Sequence, residues 1–113
     1  MAKISIAEPW FTHVATGKKL YEAKCYWHKA ISYKLGDYVI IECKQKMPLI
    51  RQITSIRCFD TFEEAVLTLG VDKILPGLTV GQAVEYFARN MRLTTQLEYG
   101  VVVLGFCQEF DQA

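Results

Sequence analysis

The sequence contains no C-x-x-C pair, no apolar run long enough to span a bilayer, no internal repeat and no low-complexity linker. A membrane helix needs about 20 consecutive apolar residues, so a bilayer-spanning segment is excluded. The first residues, Met1-Ala2-Lys3-Ile4-Ser5, lack the apolar core of a secretory signal, and a cytosolic or nuclear location is expected. The four cysteines, Cys25, Cys43, Cys58 and Cys107, are far apart and each falls in or beside an expected strand. Free cysteine packs as a small hydrophobe, so four buried, unpaired thiols are expected, with no metal and no cofactor. Histidine is also scarce: His13 and His28 stand near no cysteine and read as surface or satisfied residues.

What is present suits one compact unit. The 113 residues, 51% apolar and 22% charged, are enough to bury a core and too few for two independent ones, so residues 1–113 form a single domain, expected as a monomer. Charge is uneven along the chain. Residues 1–57 carry ten Lys/Arg against four Asp/Glu, and residues 58–113 carry three against eight, +6 against −5. A basic wall built from the first half would attract a phosphate backbone; the competing explanation is attraction between the two halves.

Period and turn chemistry set the elements. Ile4 and Ile6 alternate with Lys3 and Ser5 in a short strand, and Glu8-Pro9 opens a helix that buries Trp10, Phe11, Val14 and Ala15 and ends at Gly17. A strand runs from Leu20 to about Tyr26, and Trp27 to Leu35 reads as a loop. Gly36-Asp37 turns the chain into a strand dense in β-branched and aromatic residues, Tyr38 to Cys43; Lys44 to Pro48 is a hairpin loop. From Ile50 to Cys58 the three-residue isoleucine spacing points to helix, but the β-branched content and the flanking turns favour a strand with a bulge. Asp60 caps a helix with Phe62, Ala65, Val66 and Leu69 on one face; a helical turn covers Val71 to Leu75 before Pro76-Gly77. Thr79 caps the clearest helix, to Met91, expected to pack on the sheet through Val84 and Phe87. The continuously apolar run Gly100 to Phe106 suits a strand covered on both faces.

The chemistry gathers in Gly17-Lys18-Lys19-Leu20-Tyr21-Glu22-Ala23-Lys24. Alternation along the strand points Glu22 and Lys24 to one face, with Lys19 at the strand entrance. The pattern G-x-K-x-x-E-x-(R/K), met at Gly17, Lys19, Glu22 and, with lysine for the usual arginine, Lys24, resembles the signature of ASCH domains. The resemblance extends along the chain through Pro9-Trp10, Gly36-Asp37, Phe62-Glu63-Glu64, Leu75-Pro76-Gly77 and Tyr99-Gly100-Val101. It implies an α+β fold: a small PUA-like β-barrel of about five strands with three helices packed on it.

The resemblance also implies an RNA- or nucleotide-binding module acting in RNA metabolism or in translation or transcription control, since the family is similar to RNA-binding PUA domains. One bacterial branch hydrolyses an acetylated cytidine nucleoside with a lysine, a threonine and a glutamate. Lys19 matches that lysine, but Glu22 stands where the threonine would be, and Thr12 and Thr16 lie in the preceding helix. Catalysis is therefore disfavoured, and Lys19 is the one catalytic candidate if hydrolysis occurs. The residues expected to bind RNA or a nucleotide are Trp10, Lys18, Lys19, Glu22 and Lys24: lysine as a point charge for phosphate, the carboxylate as acceptor for a base amine, and an exposed Trp10 as a stacking surface. Tyr21, Tyr26, Trp27 and Tyr33 interleave with Lys29 and Lys34 in the same region. A Glu22–Lys24 ion pair across the barrel rim explains the charges equally well, and a protein-interaction domain is a further alternative.

Overall fold

The computed structural model describes residues 2–25 and 33–107. The loop expected over Trp27 to Leu35 lies mostly outside the described residues, as do Tyr26, Trp27, His28 and Lys29. Strand β1 (Ala2–Ser5) is followed by α1 (Trp10–Ala15), β2 (Tyr21–Cys25), β3 (Tyr38–Glu42) and β4 (Leu49–Phe59). Then come α2 (Phe62–Leu69), α3 (Val71–Ile74), α4 (Val80–Asn90), α5 (Leu93–Tyr99) and β5 (Val101–Phe106). The architecture is α+β with five strands, as expected. The sheet is a curled half-barrel, however, and among the described residues it carries five helices instead of three.

Strand order is β1-β3-β4-β5-β2, with β1 parallel to β3 and the other pairs antiparallel. The curl comes from β4, which pairs β3 through Leu49 to Gln52 and β5 from Ile53 onward, with a register shift between Ile53 and Ser55. An extra residue there bends the strand and strengthens its twist, so one 11-residue strand serves both halves of the sheet. Central β5 is buried along its whole length, as its unbroken apolar run requires. The basic first half does not make one wall, because β1 and β2 occupy opposite edges of the sheet.

Helix α1 buries Trp10, Phe11 and Val14 but leaves Ala15 exposed. Gly17 takes φ 84°, the left-handed conformation expected of it. The chain then folds back so that the amides of Lys18 and Lys19 both donate to His13 O at 2.9 Å. The α2 cap falls one residue later than expected: Thr61 accepts from the Glu64 amide, and Glu64 reaches back to the Asp60 amide at 2.9 Å. Thr79 and Gln82 form a reciprocal capping box on α4. That helix lies chiefly against α2, not the sheet. The Phe62 and Phe87 rings stack at 4.2 Å, and Val84 is only half-buried. Helix α5 is held by a polar residue: buried Gln96 accepts from the Phe62 amide at 3.0 Å and donates to Met91 O at 2.9 Å. None of the four cysteines is in a disulfide, but only Cys25 is fully buried, and Cys58 is exposed.

In β5, Gly105 sits between Tyr21 of β2 and Ser55 of β4. A Cβ there would fall 2.2 Å from Ser55 Oγ and 3.0 Å from the Tyr21 ring, leaving room for glycine alone. Gly105→Ala is expected to cost roughly 1–3 kcal/mol, with partial recovery on adding Ser55→Ala, read from urea midpoints. Phe87→Ala should cost roughly 3–5 kcal/mol in the same assay. An unchanged midpoint in either case contradicts the packing described.

Candidate ligand-binding cleft

The return of the chain after Gly17 drives Lys19 into the interior, where it is 3% exposed. Its ammonium donates to Tyr21 O at 2.6 Å and to Ile74 O, and meets Glu22 Oε1 at 3.1 Å. Each of the three N–H groups thus has an acceptor. One of these acceptors, Ile74 O, lies at the C-terminal end of α3, where helix carbonyls lack intrahelical partners. Beside it, the Leu20 amide donates to Lys73 O at 2.9 Å. Burial pulls the Lys19 ammonium below the usual lysine range, and the Glu22 carboxylate beside it pulls the other way.

This geometry corrects two sequence expectations. Glu22 pairs with Lys19, not with Lys24, because the turn at Gly17 aims Lys19 inward. Lys19 is no surface charge for phosphate either, since its donors are spent on the protein.

The Glu22 side chain keeps 18% exposure. With Ala23 it forms the floor of a cleft of about 270 Å³, walled by Ser5, Ile6 and Ala7 after β1, by Trp10, by Leu75, and by Tyr86, Phe87 and Asn90 of α4. Strands β1 and β2 are the two free edges of the half-barrel, so the cleft lies where the sheet opens. Trp10 is not an exposed stacking surface. It is 9% exposed, donates from Nε1 to the Tyr86 hydroxyl at 3.1 Å, and meets that ring edge-on at 5.7 Å. Folding draws so large an aromatic surface inward, where its one donor finds a partner. Burial, and then the charge of Glu22, raises the pKa of half-buried Tyr33, so this phenol lies within the carboxylate's field.

Of the five residues expected to bind, Trp10 and Glu22 line the cleft and Lys19 supports it from behind. Exposed Lys18 and half-buried Lys24 are not part of the wall. Sequence reasoning missed Tyr86 and Asn90. They belong to a helix whose apolar stripe reads as core, and nothing in the chain links Trp10 to a partner 76 residues away.

The hydrolytic constellation is not assembled in this cleft. The Thr12 hydroxyl donates to Glu8 at 2.7 Å and the Thr16 hydroxyl to Thr12 O at 3.0 Å. Glu64 caps α2, and Glu63 lines a separate 150 Å³ cavity with Phe62 and Val84. A larger, more open groove of about 830 Å³ shares Ser5 to Ala7 with the cleft and is lined also by Glu8, Glu42, Lys44 and Lys46, with both carboxylates engaged by lysines. There Lys46 meets Glu8 at 3.4 Å and Glu42 meets Lys3 at 3.8 Å. Among the described residues no group of three or more His, Cys, Asp and Glu is placed to hold a metal.

No protein-family model matches the sequence, and no curated protein matches it significantly. Solved structures do match its fold. The hypothetical protein PH0355 superposes with TM-score 0.81 at 24% identity, over 92% of this chain and 94% of that one. PF0455 from Pyrococcus furiosus gives 0.73 at 22% identity, over 93% and 94%. A mutant of ZmASCH from Zymomonas mobilis gives 0.64 at 14% identity, over 92% of this chain and 66% of that one. The chain therefore has an ASCH-type fold.

Removing the buried cation while leaving its acceptors is expected to cost roughly 3–5 kcal/mol in Lys19→Ala. Lys19→Met gives a pH test. The folded pKa lies below the unfolded value of about 10.4, so the unfolded state holds more protons between the two. Wild-type stability relative to Lys19→Met should therefore rise as pH climbs through that window. Urea midpoints of both proteins from pH 7 to 10 check the sign; a falling difference contradicts it.

Proposed function

We propose that this chain is an RNA- or nucleotide-binding module of the ASCH, PUA-like type, which takes a base into the cleft between α1, β2 and α4. The observation that carries the reading is Glu22: a carboxylate at the floor of an aromatic-walled cleft, with its counter-charge buried behind it. The Lys19 ammonium holds one Glu22 oxygen, leaving the other to accept from a base N–H. Trp10, Tyr86 and Phe87 supply apolar walls that exclude water from that hydrogen bond. Phosphates of a bound strand meet Lys18 and Lys24 outside the cleft. The amidohydrolase reading has less support, because the Lys19 amine is held by three acceptors and no threonine lines the cleft.

The module acts as a monomer in the cytoplasm, in RNA metabolism or in control of translation or transcription. Among the described residues no helix is long and apolar enough to cross a membrane.

Titration of labelled single-stranded homopolymers of each base at two salt concentrations tests this reading. Wild type should bind at low salt, and Glu22→Gln should change base preference with the salt slope unaltered. The double variant Lys18→Ala, Lys24→Ala should lower affinity for every base and reduce the log–log salt slope by roughly 1.4, two single-strand phosphate contacts. Absence of binding by wild type at low salt, or a Glu22→Gln profile identical to wild type, would leave the Lys19–Glu22 pair as a purely structural element.

A further inference from the structure

The cleft that Glu22 lines is also lined by Tyr86, whose hydroxyl has its direction set by chemistry. An indole N–H only donates, so in the 3.1 Å contact between Trp10 Nε1 and Tyr86 the phenol oxygen is the acceptor. The single hydrogen of Tyr86 therefore points away from Trp10, and among the described residues no group accepts it. Trp10 is held in place by its burial, and Tyr86 by edge-on contacts with Trp10 at 5.7 Å and with Phe87 at 5.6 Å. At the same rim the Asn90 side-chain amide donates one of its two N–H groups to Tyr86 O at 2.9 Å.

We propose that Tyr86 is a hydrogen-bond donor of the cleft, oriented by Trp10, and that with Glu22 it forms a donor–acceptor pair selecting an uncharged heterocyclic edge. Such an edge sets an N–H beside a ring nitrogen or a carbonyl, as a nucleobase does. This deepens the nucleotide-binding reading and rests on it.

The same geometry excludes the alternative that phosphate enters. Lys19 has no N–H left to give, Lys18 and Lys24 do not line the cleft, and an anion would lie against the Glu22 carboxylate. The base is the inserted group and the phosphate stays outside. Trp10 is thus a positioning residue and Tyr86 a ligand-contacting one.

Calorimetric titration with the four ribonucleosides, their 5′-monophosphates and inorganic phosphate separates the possibilities. The nucleoside that binds best should bind Tyr86→Phe about 2- to 10-fold more weakly, the effect of one neutral hydrogen bond. Trp10→Phe keeps an aromatic ring but frees the hydroxyl to turn, and should also weaken binding. Adding it to Tyr86→Phe should cause no further loss, a coupling that a merely structural role for Trp10 would not produce. Inorganic phosphate should not compete.

If Tyr86→Phe binds like wild type while Glu22→Gln shifts base preference, the donor role is overturned and the base-binding reading stands. Competition by inorganic phosphate, or binding of homopolymers without any binding of nucleosides, overturns the neutral-edge selection in the same way. Failure of wild type to bind either nucleosides or homopolymers removes the base-binding reading, and the role of Tyr86 with it.

Discussion

An ammonium group taken out of water must find an acceptor for each hydrogen, and the surroundings of Lys19 answer that requirement. Its three acceptors come from β2, from the C-terminal end of α3 and from the Glu22 side chain. One cation therefore joins the motif strand to a single-turn helix that could not hold its place by its own hydrogen bonds. It also fixes the direction of Glu22, the only carboxylate among the described residues that line the cleft. Gly17 makes this possible: a left-handed residue after α1 turns the chain so that Lys19 enters the core and does not lie along the surface. The burial that lowers the Lys19 pKa is the cost of this arrangement, and the pairing with Glu22 offsets only part of it.

The cleft owes its position to incomplete closure of the sheet. With β1 and β2 left as edges, the segment after β1 faces the motif strand across a gap, and α1 and α4 cover it with aromatic side chains. A closed barrel would pair those edges and leave no cleft. The bulge in β4 sets how far the sheet curls, and so how wide the gap stands. In the proposed reading the charge pattern divides the work. The paired carboxylate inside reads donors, and the cations outside answer the backbone of a strand.

Much of the fold is legible in the chain because its elements have strong local signals. β-Branched density marks β3, an unbroken apolar run marks β5, the Thr79 cap and a 3.6-residue stripe mark α4, and β-branched content between turns marks β4 although its isoleucine spacing points to helix. Helix α5 escapes such reading for a physical reason. It exposes Leu93 and Leu97 and is anchored through Gln96, whose two hydrogen bonds leave no apolar period to detect. The motif residues are legible as a group, but their roles depend on contacts between distant segments. Alternation puts Glu22 and Lys24 on one face, yet the ion pair is decided by the turn before the strand. Trp10 reads both as helix core and as a stacking surface, and its hydrogen bond to Tyr86 goes with the first of these.

The central claim is that the cleft over Glu22 is where a base is held. The most direct measurement is a map of backbone and side-chain NMR shifts as ribonucleosides are added to isotope-labelled protein. The account predicts changes at Ser5 to Ala7, the Glu22 carboxyl carbon, the Trp10 indole N–H and the Tyr86 and Asn90 signals, with Lys44 and Lys46 silent. Shifts centred on the groove of Lys44 and Lys46, or a Glu22 carboxyl carbon unmoved at saturation, would contradict it.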